Sequence, residues 1–91
     1  MPSYTGYEAL AVSTASVGFT AATYGTAINA RCSVETGAIR FRMDGTDPTA
    51  TQGEVAEPGD ILAFESPDEI QRVRFVRRDG WDATLRVHFG K

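Results

Sequence analysis

The sequence predicts an all-β fold, a small antiparallel β-sandwich of six or seven short strands. Three observations carry that expectation. Apolar and polar residues alternate with a period of two in several separate stretches, turn signals recur at intervals of roughly 8–12 residues, and no stretch has the 3.6-residue periodicity of a helix of useful length.

The elements follow in chain order. Met1 to Gly6 has a proline, a glycine and no periodicity, so it reads as an extended arm, either swapped onto a neighbouring subunit or simply disordered, or as a first edge strand. Glu8 to Val17 is rich in Ala, Ser, Thr and Val, which suits a strand better than a helix. Phe19 and Tyr24 flank a second stretch of the same character. Ile28, Ala30, Cys32 and Val34 then alternate with Asn29, Arg31, Ser33 and Glu35, a strand with four inward positions. Thr36-Gly37 is a turn. It joins this strand either as a hairpin, with Val34 opposite Ile39 and Cys32 opposite Phe41, or as an arch to the opposite sheet, because both bury the same residues.

The strand from Ala38 organises the rest. Ile39, Phe41 and Met43 alternate with Arg40 and Arg42, and Asp44-Gly45 ends the strand because glycine accepts positive φ and aspartate bonds its own backbone. Asp47 before Pro48 is pushed to extended backbone, so no helix passes here. Pro58-Gly59-Asp60 is a turn, Ile61 to Phe64 a brief strand, and Ser66-Pro67 its end. Asp68-Glu69 could begin one helical turn, but Ile70 to Arg78 reads as a strand with Val73 and Phe75 inward and Arg72, Arg74 and Val76 outward. Asp79-Gly80 turns the chain into a last strand with Leu85, Val87 and Phe89 on one face. If the last two strands form a hairpin, a loop of Asp79, Gly80 and Trp81 sets Phe75 opposite Leu85, Val73 opposite Val87 and Arg78 opposite Asp82. Trp81 at that tip is folded back over the sheet edge or offered to a partner.

Ninety-one residues make one domain. A chain of this length buries about 60–65% of its unfolded surface, so association would add stability that the core supplies only modestly. Eight acids lie between Asp44 and Glu69 with no base among them, whereas Arg72, Arg74, Arg77, Arg78, Arg86 and Lys91 crowd the end. On different faces, these two regions would let copies associate head to tail or around a ring; otherwise they are solvated strand faces. Cys32 is the single cysteine, so no internal disulfide forms. No signal peptide and no membrane span are recognisable, which predicts synthesis in a cytoplasm.

Candidate chemistry is sparse. Asp44, Asp47, Thr46 and Thr49 carry oxygen ligands of the kind Ca²⁺ favours, but DGTD is not an EF-hand loop and such residues commonly cap backbone N–H groups, so the expectation is no metal. His88 faces outward with no Ser or Cys nucleophile near it in sequence, and Cys32 faces inward as a small core residue. Net charge −3 and an acidic half argue against nucleic acid despite the alternating arginines. The chain is therefore expected not to be an enzyme and to need no cofactor.

A resemblance adds to this reading. The stretch IRFRMDGTDPTATQGEVAEPGDILAFESPDEIQRVRFVRRDGWDATLRVHF resembles a family of small proteins encoded among the structural genes of tailed bacteriophages, in which a strand enters DGTDPT and is followed by a Gly, a Gly-Asp turn, a short apolar strand and a final basic hairpin. Ile39 to Thr49, Gly53, Gly59-Asp60 and Ile70 to Phe89 match that layout. The strand-to-DGTDPT element is also similar to the immunoglobulin-like module at the C-terminus of chitobiase-type glycosidases, and an immunoglobulin-like sandwich is the fold this implies. Residues before Ile28 match neither.

The resemblance implies a bacteriophage structural protein in the virion, on the capsid surface: a decoration or cement protein bound to the major capsid protein and to its own copies, as a homotrimer at a local threefold. Its contact residues would be Pro2, Ser3, Tyr4 and Tyr7 of the arm, and Arg72, Arg74, Val76, Arg78 and Trp81 of the basic hairpin. The alternative is a carbohydrate or host-surface binding module of a head fibre or tail, with Tyr4, Tyr7, Tyr24 and Trp81 stacking on sugar rings.

Overall fold

A computed structural model describes residues 4–91. Seven strands form two antiparallel sheets packed face to face: β1 (Tyr4–Val12), β2 (Asn29–Glu35), β3 (Ile39–Arg42), β4 (Glu54–Ala56), β5 (Ile61–Phe64), β6 (Arg74–Arg77) and β7 (Ala83–Gly90). One sheet runs β1-β7-β2-β5 and the other β4-β3-β6. The β2–β5 and β3–β6 pairs are those of an immunoglobulin sandwich, but here the last strand lies between the first and second. Buried on its inner face and paired on both sides, β7 is the centre of the larger sheet.

Inward positions set by the alternation meet in one core. Ala30, Cys32 and Val34 of β2, Ile39 and Phe41 of β3, Phe75 of β6 and Leu85, Val87 and Phe89 of β7 are buried. Phe19, from the loop after β1, fills the middle. Its ring centroid lies 5.5 Å from Phe64, 5.2 Å from Phe75 and 5.2 Å from Phe89, within the range of favourable tilted and edge-on ring pairs. Cys32 sits in this layer, and burial pushes its thiol up to about 12.

Several expectations need correction. The chain forms two short helices, α1 (Ala21–Tyr24) and α2 (Pro67–Arg72). In α1 the Thr20 carbonyl accepts from the N–H groups of Thr23 and Tyr24, and Tyr24 packs on the core. In α2 the Ser66 hydroxyl accepts from Glu69 N–H at 3.2 Å, Pro67 opens the first turn, and Asp68, Glu69 and Arg72 suit the helix dipole. Those N-terminal signals outweigh the apolar alternation, and Ile70 reaches the core from a helix rather than a strand. Ile28 and Met43 lie just outside their strands and are exposed.

Two connections are arches. Thr36-Gly37 carries the chain from β2 to β3 in the other sheet, with Thr36 at φ 77°. The β6–β7 link likewise changes sheets, so Phe75 and Leu85 meet across the core rather than as ladder neighbours. Arg77, not Arg78, pairs with Asp82, at 2.8 Å. The start of the chain is no free arm over its described part. Tyr4 to Val12 pairs with β7, with a register shift between Tyr4 and Gly6, while Pro2 and Ser3 lie outside the described residues.

Candidate functional site

The outer faces of the two sheets have different fates. Over the β3–β6 side of β4-β3-β6 the DGTDPT loop folds back as a cover, while Val55 on the outer side of β4 stays exposed. Gly45 takes φ 83°, the Asp44 carboxylate accepts from Thr46 N–H at 3.2 Å, and Ser16 Oγ donates to Asp47 at 3.0 Å. Arg40, on the outer side of β3, donates from Nε to the Ala50 carbonyl and from Nη1 to the Gly53 carbonyl, both at 2.8 Å. Pro48 is buried beneath, and a cleft of about 350 Å³ lined by Thr14, Pro48, Thr49, Ala50, Val76, Arg77 and Asp79 remains beside it. Val76 does point to the outer side, yet it is only 5% exposed under this cover and offers no contact surface. Asp44, Asp47 and Thr49 are occupied in holding the loop.

The outer face of β1-β7-β2-β5 has no such cover among the described residues. Pairing aligns its outward side chains in rows: Tyr7, His88, Arg31 and Ala63 in one, Ala9, Arg86, Ser33 and Ile61 in the next, and Ala11, Thr84 and Glu35 in a third. Tyr7 is 48% and Ile61 51% exposed. The Tyr7 ring leans on His88 at 5.0 Å and 50°. Arg86 ties the rows together, donating to the Tyr7 hydroxyl at 3.2 Å and to Glu35 at 3.3 Å, and both acceptors raise its pKa. Arg31 makes no ion pair among the described residues. A depression of about 160 Å³ lies between Arg31, Ser33, Ile61, Arg86 and His88.

Of the residues expected to form a contact surface, Tyr7 lies on this face and Arg72, Arg74, Val76, Arg78 and Trp81 do not. Arg72 pairs with Asp68 at 2.9 Å on α2. Arg74 donates to the carbonyls of Gln71 and Val73, both at 2.8 Å, and lies so near Gly18 that a Cβ there would meet it at 2.7 Å. Arg78 bonds Asp79 and reaches Glu57 at 3.6 Å. Trp81 folds back over Gly37, where a Cβ would stand 2.7 Å from the indole, yet remains 58% exposed. Tyr4 is placed opposite Gly90. Charge in space is therefore more mixed than charge in sequence, since Asp68 and Glu57 of the acidic stretch bind arginines of the basic one.

Arg31, Ile61, Arg86 and His88 escaped the sequence reading. Alternation marked Arg31, Arg86 and His88 as outward and gave Ile61 no face; only strand order sets the four side by side. Among the described residues no three His, Cys, Asp or Glu side chains are grouped to share a metal ion, and no buried side-chain N or O lacks a partner. No helix is long and apolar enough to cross a membrane. Compared with known proteins, the chain matches no family model, no curated protein and no solved structure.

Proposed function

We propose that this protein is a virion component of a tailed bacteriophage, a decoration or cement protein that docks on the major capsid protein lattice through the open face of β1-β7-β2-β5. The observation that carries the reading is the contrast between a sheet partly covered by a loop and one bearing Tyr7, Arg31, Ile61, Arg86 and His88 in the open. Aromatic and apolar groups beside arginines are the composition of contact surfaces, and the resemblance of Ile39 to Phe89 to phage structural proteins supplies the partner class. Cosedimentation with emptied capsids of the encoding phage tests it. Wild type should pellet with the capsids, and a variant combining Arg31→Glu and Ile61→Asp should bind at least tenfold more weakly with unchanged melting. A wild-type chain that stays in the supernatant would overturn the reading. A carbohydrate-binding role is favoured by one feature, the exposed Tyr7 ring beside the depression at Arg31, and a glycan array without hits would remove it.

A further inference from the structure

The edges of the two sheets are not alike. That of β6 is covered, because Val17 exchanges both backbone hydrogen bonds with Phe75, at 3.0 and 2.8 Å, and Arg77 N–H donates to the Ser13 carbonyl at 2.9 Å. The β4 and β5 edges are three and four residues long. The β1 edge has nine residues, and among the described residues β1 has no strand partner other than β7. Natural edge strands are blunted by short length, charged or proline residues, bulges, inward-pointing charges or a covering segment. The first half of β1 carries two of these: a register shift between Tyr4 and Gly6, and Glu8, which lies opposite the inward Val87 and accepts from Thr20 N–H at 3.0 Å. From Gly6 to Val12 the ladder is unbroken and contains no lysine, arginine or proline. Its outward residues Ala9 and Ala11 are small and exposed, and the Tyr7 ring is drawn over β7 by His88 and Arg86, whereas α1 packs against the start of the strand, where a Cβ on Gly6 would stand 2.9 Å from the Thr23 carbonyl.

We infer that β1 is a self-pairing edge: two copies join β1 to β1, antiparallel about a two-fold axis at Ala9, and form one eight-stranded sheet. Antiparallel partners share a face, so their residue numbers must sum to an even value. The register centred on the regular run sets Ala9 against Ala9, Tyr7 against Ala11, Glu8 against Leu10 and Gly6 against Val12. Moving the axis to Glu8 places two carboxylates directly opposite each other, which is destabilising, and moving it to Leu10 shortens the ladder. The partner must itself offer an unpaired edge of comparable length, and among the described strands β1 of another copy does. Such a two-fold stands perpendicular to the sheet, so both open faces point the same way. If those faces dock on a capsid, as proposed above, the pair binds with avidity; the pairing itself does not depend on that reading.

The full chain without capsids provides the test. Light scattering at tens of micromolar should give twice the chain mass, and Ala9→Lys, which puts like charges on the axis, should return a single-chain mass with unchanged circular dichroism. Ala9→Cys should form a disulfide-linked dimer on mild oxidation, because Cα atoms of opposite residues lie about 4.5–5.5 Å apart, within disulfide reach. Cys32 stays silent there, being buried with its thiol pushed up to about 12. Ala63→Cys on the β5 edge should stay uncrosslinked. A wild-type mass of one or three chains, crosslinking at Ala63 instead of Ala9, or a persistent dimer in Ala9→Lys would each overturn the inference. Loss of capsid binding with the dimer intact would remove only the proposed function.

Discussion

The two sheets turn similar inner faces to one core and diverge on their outer sides. The β4-β3-β6 sheet has strands of three or four residues, and its outer Arg40 is spent on loop carbonyls while Val76 beside it is buried and Val55 on β4 stays exposed. The β1-β7-β2-β5 sheet has strands of up to nine residues and leaves its arginines, tyrosine and isoleucine in solvent. A short sheet cannot bury enough by itself and recruits a loop as a second layer; a long sheet centred on β7 needs none. The lesson is that a conspicuous motif can be scaffold, while a plain alternation can be the more open surface.

The comparison can be broken first at what the sheets share. Phe75, fully buried and ringed by Phe19, Phe41 and Phe64, belongs to the small sheet but packs on the large one. Phe75→Ala should cost about 3–5 kcal/mol in chemical denaturation, a large share of the ~5–15 kcal/mol typical of folded domains. Next comes the cover. Arg40→Ala returns the exposed Ala50 carbonyl to water, leaves the part-buried Gly53 carbonyl without its partner and should cost about 1 kcal/mol, with limited proteolysis opening first between Asp44 and Gly53. Arg40→Lys should restore little of this, since a single ammonium does not reproduce the fork that holds both carbonyls. Ser66→Ala removes the cap of α2 and should cost about 1 kcal/mol by thermal melting.

The smallest stability effects fall on exposed charges, where the two sheets separate most clearly. Arg31→Glu should change stability by less than about 0.5 kcal/mol, yet weaken capsid cosedimentation. Asp44 is held below the ordinary carboxylate range, first by the hydrogen bond from Arg42 and then by Thr46 N–H. A carboxyl with a depressed folded pKa stabilises the fold above its unfolded pKa of about 4, and that contribution is lost as pH falls through the folded value. Denaturation between neutral and strongly acidic pH should therefore show a shallower acid limb in Asp44→Asn than in wild type.

Legibility followed the range of the interaction involved. The β2 alternation, the buried Ile39 and Phe41, the Gly45 turn and the run from Leu85 to Phe89 could be read because each depends on neighbours one or two residues away. The Ser66-Pro67-Asp68-Glu69 helix start was also present in the chain, but the Val73 and Phe75 alternation masked it until Ile70 was seen to reach the core from a helix. The two arches were ambiguous in principle, because a hairpin and a crossing bury the same side chains. Trp81 and Gly37 illustrate what lay out of reach: glycine there permits the indole's close approach, a contact between residues 44 apart in sequence.

By itself the sequence determined that short two-sided strands, punctuated by Gly, Pro and Asp, would build an antiparallel sandwich around phenylalanines and valines, since strand period and turn chemistry are local properties. Tertiary structure alone decided that β7 would enter between β1 and β2, and so which outward residues became neighbours. Strand order arises from burial summed over the whole chain, and no local pattern encodes it. For that reason Tyr7, Arg31, Ile61, Arg86 and His88, scattered across the sequence, form one surface only once the chain has folded.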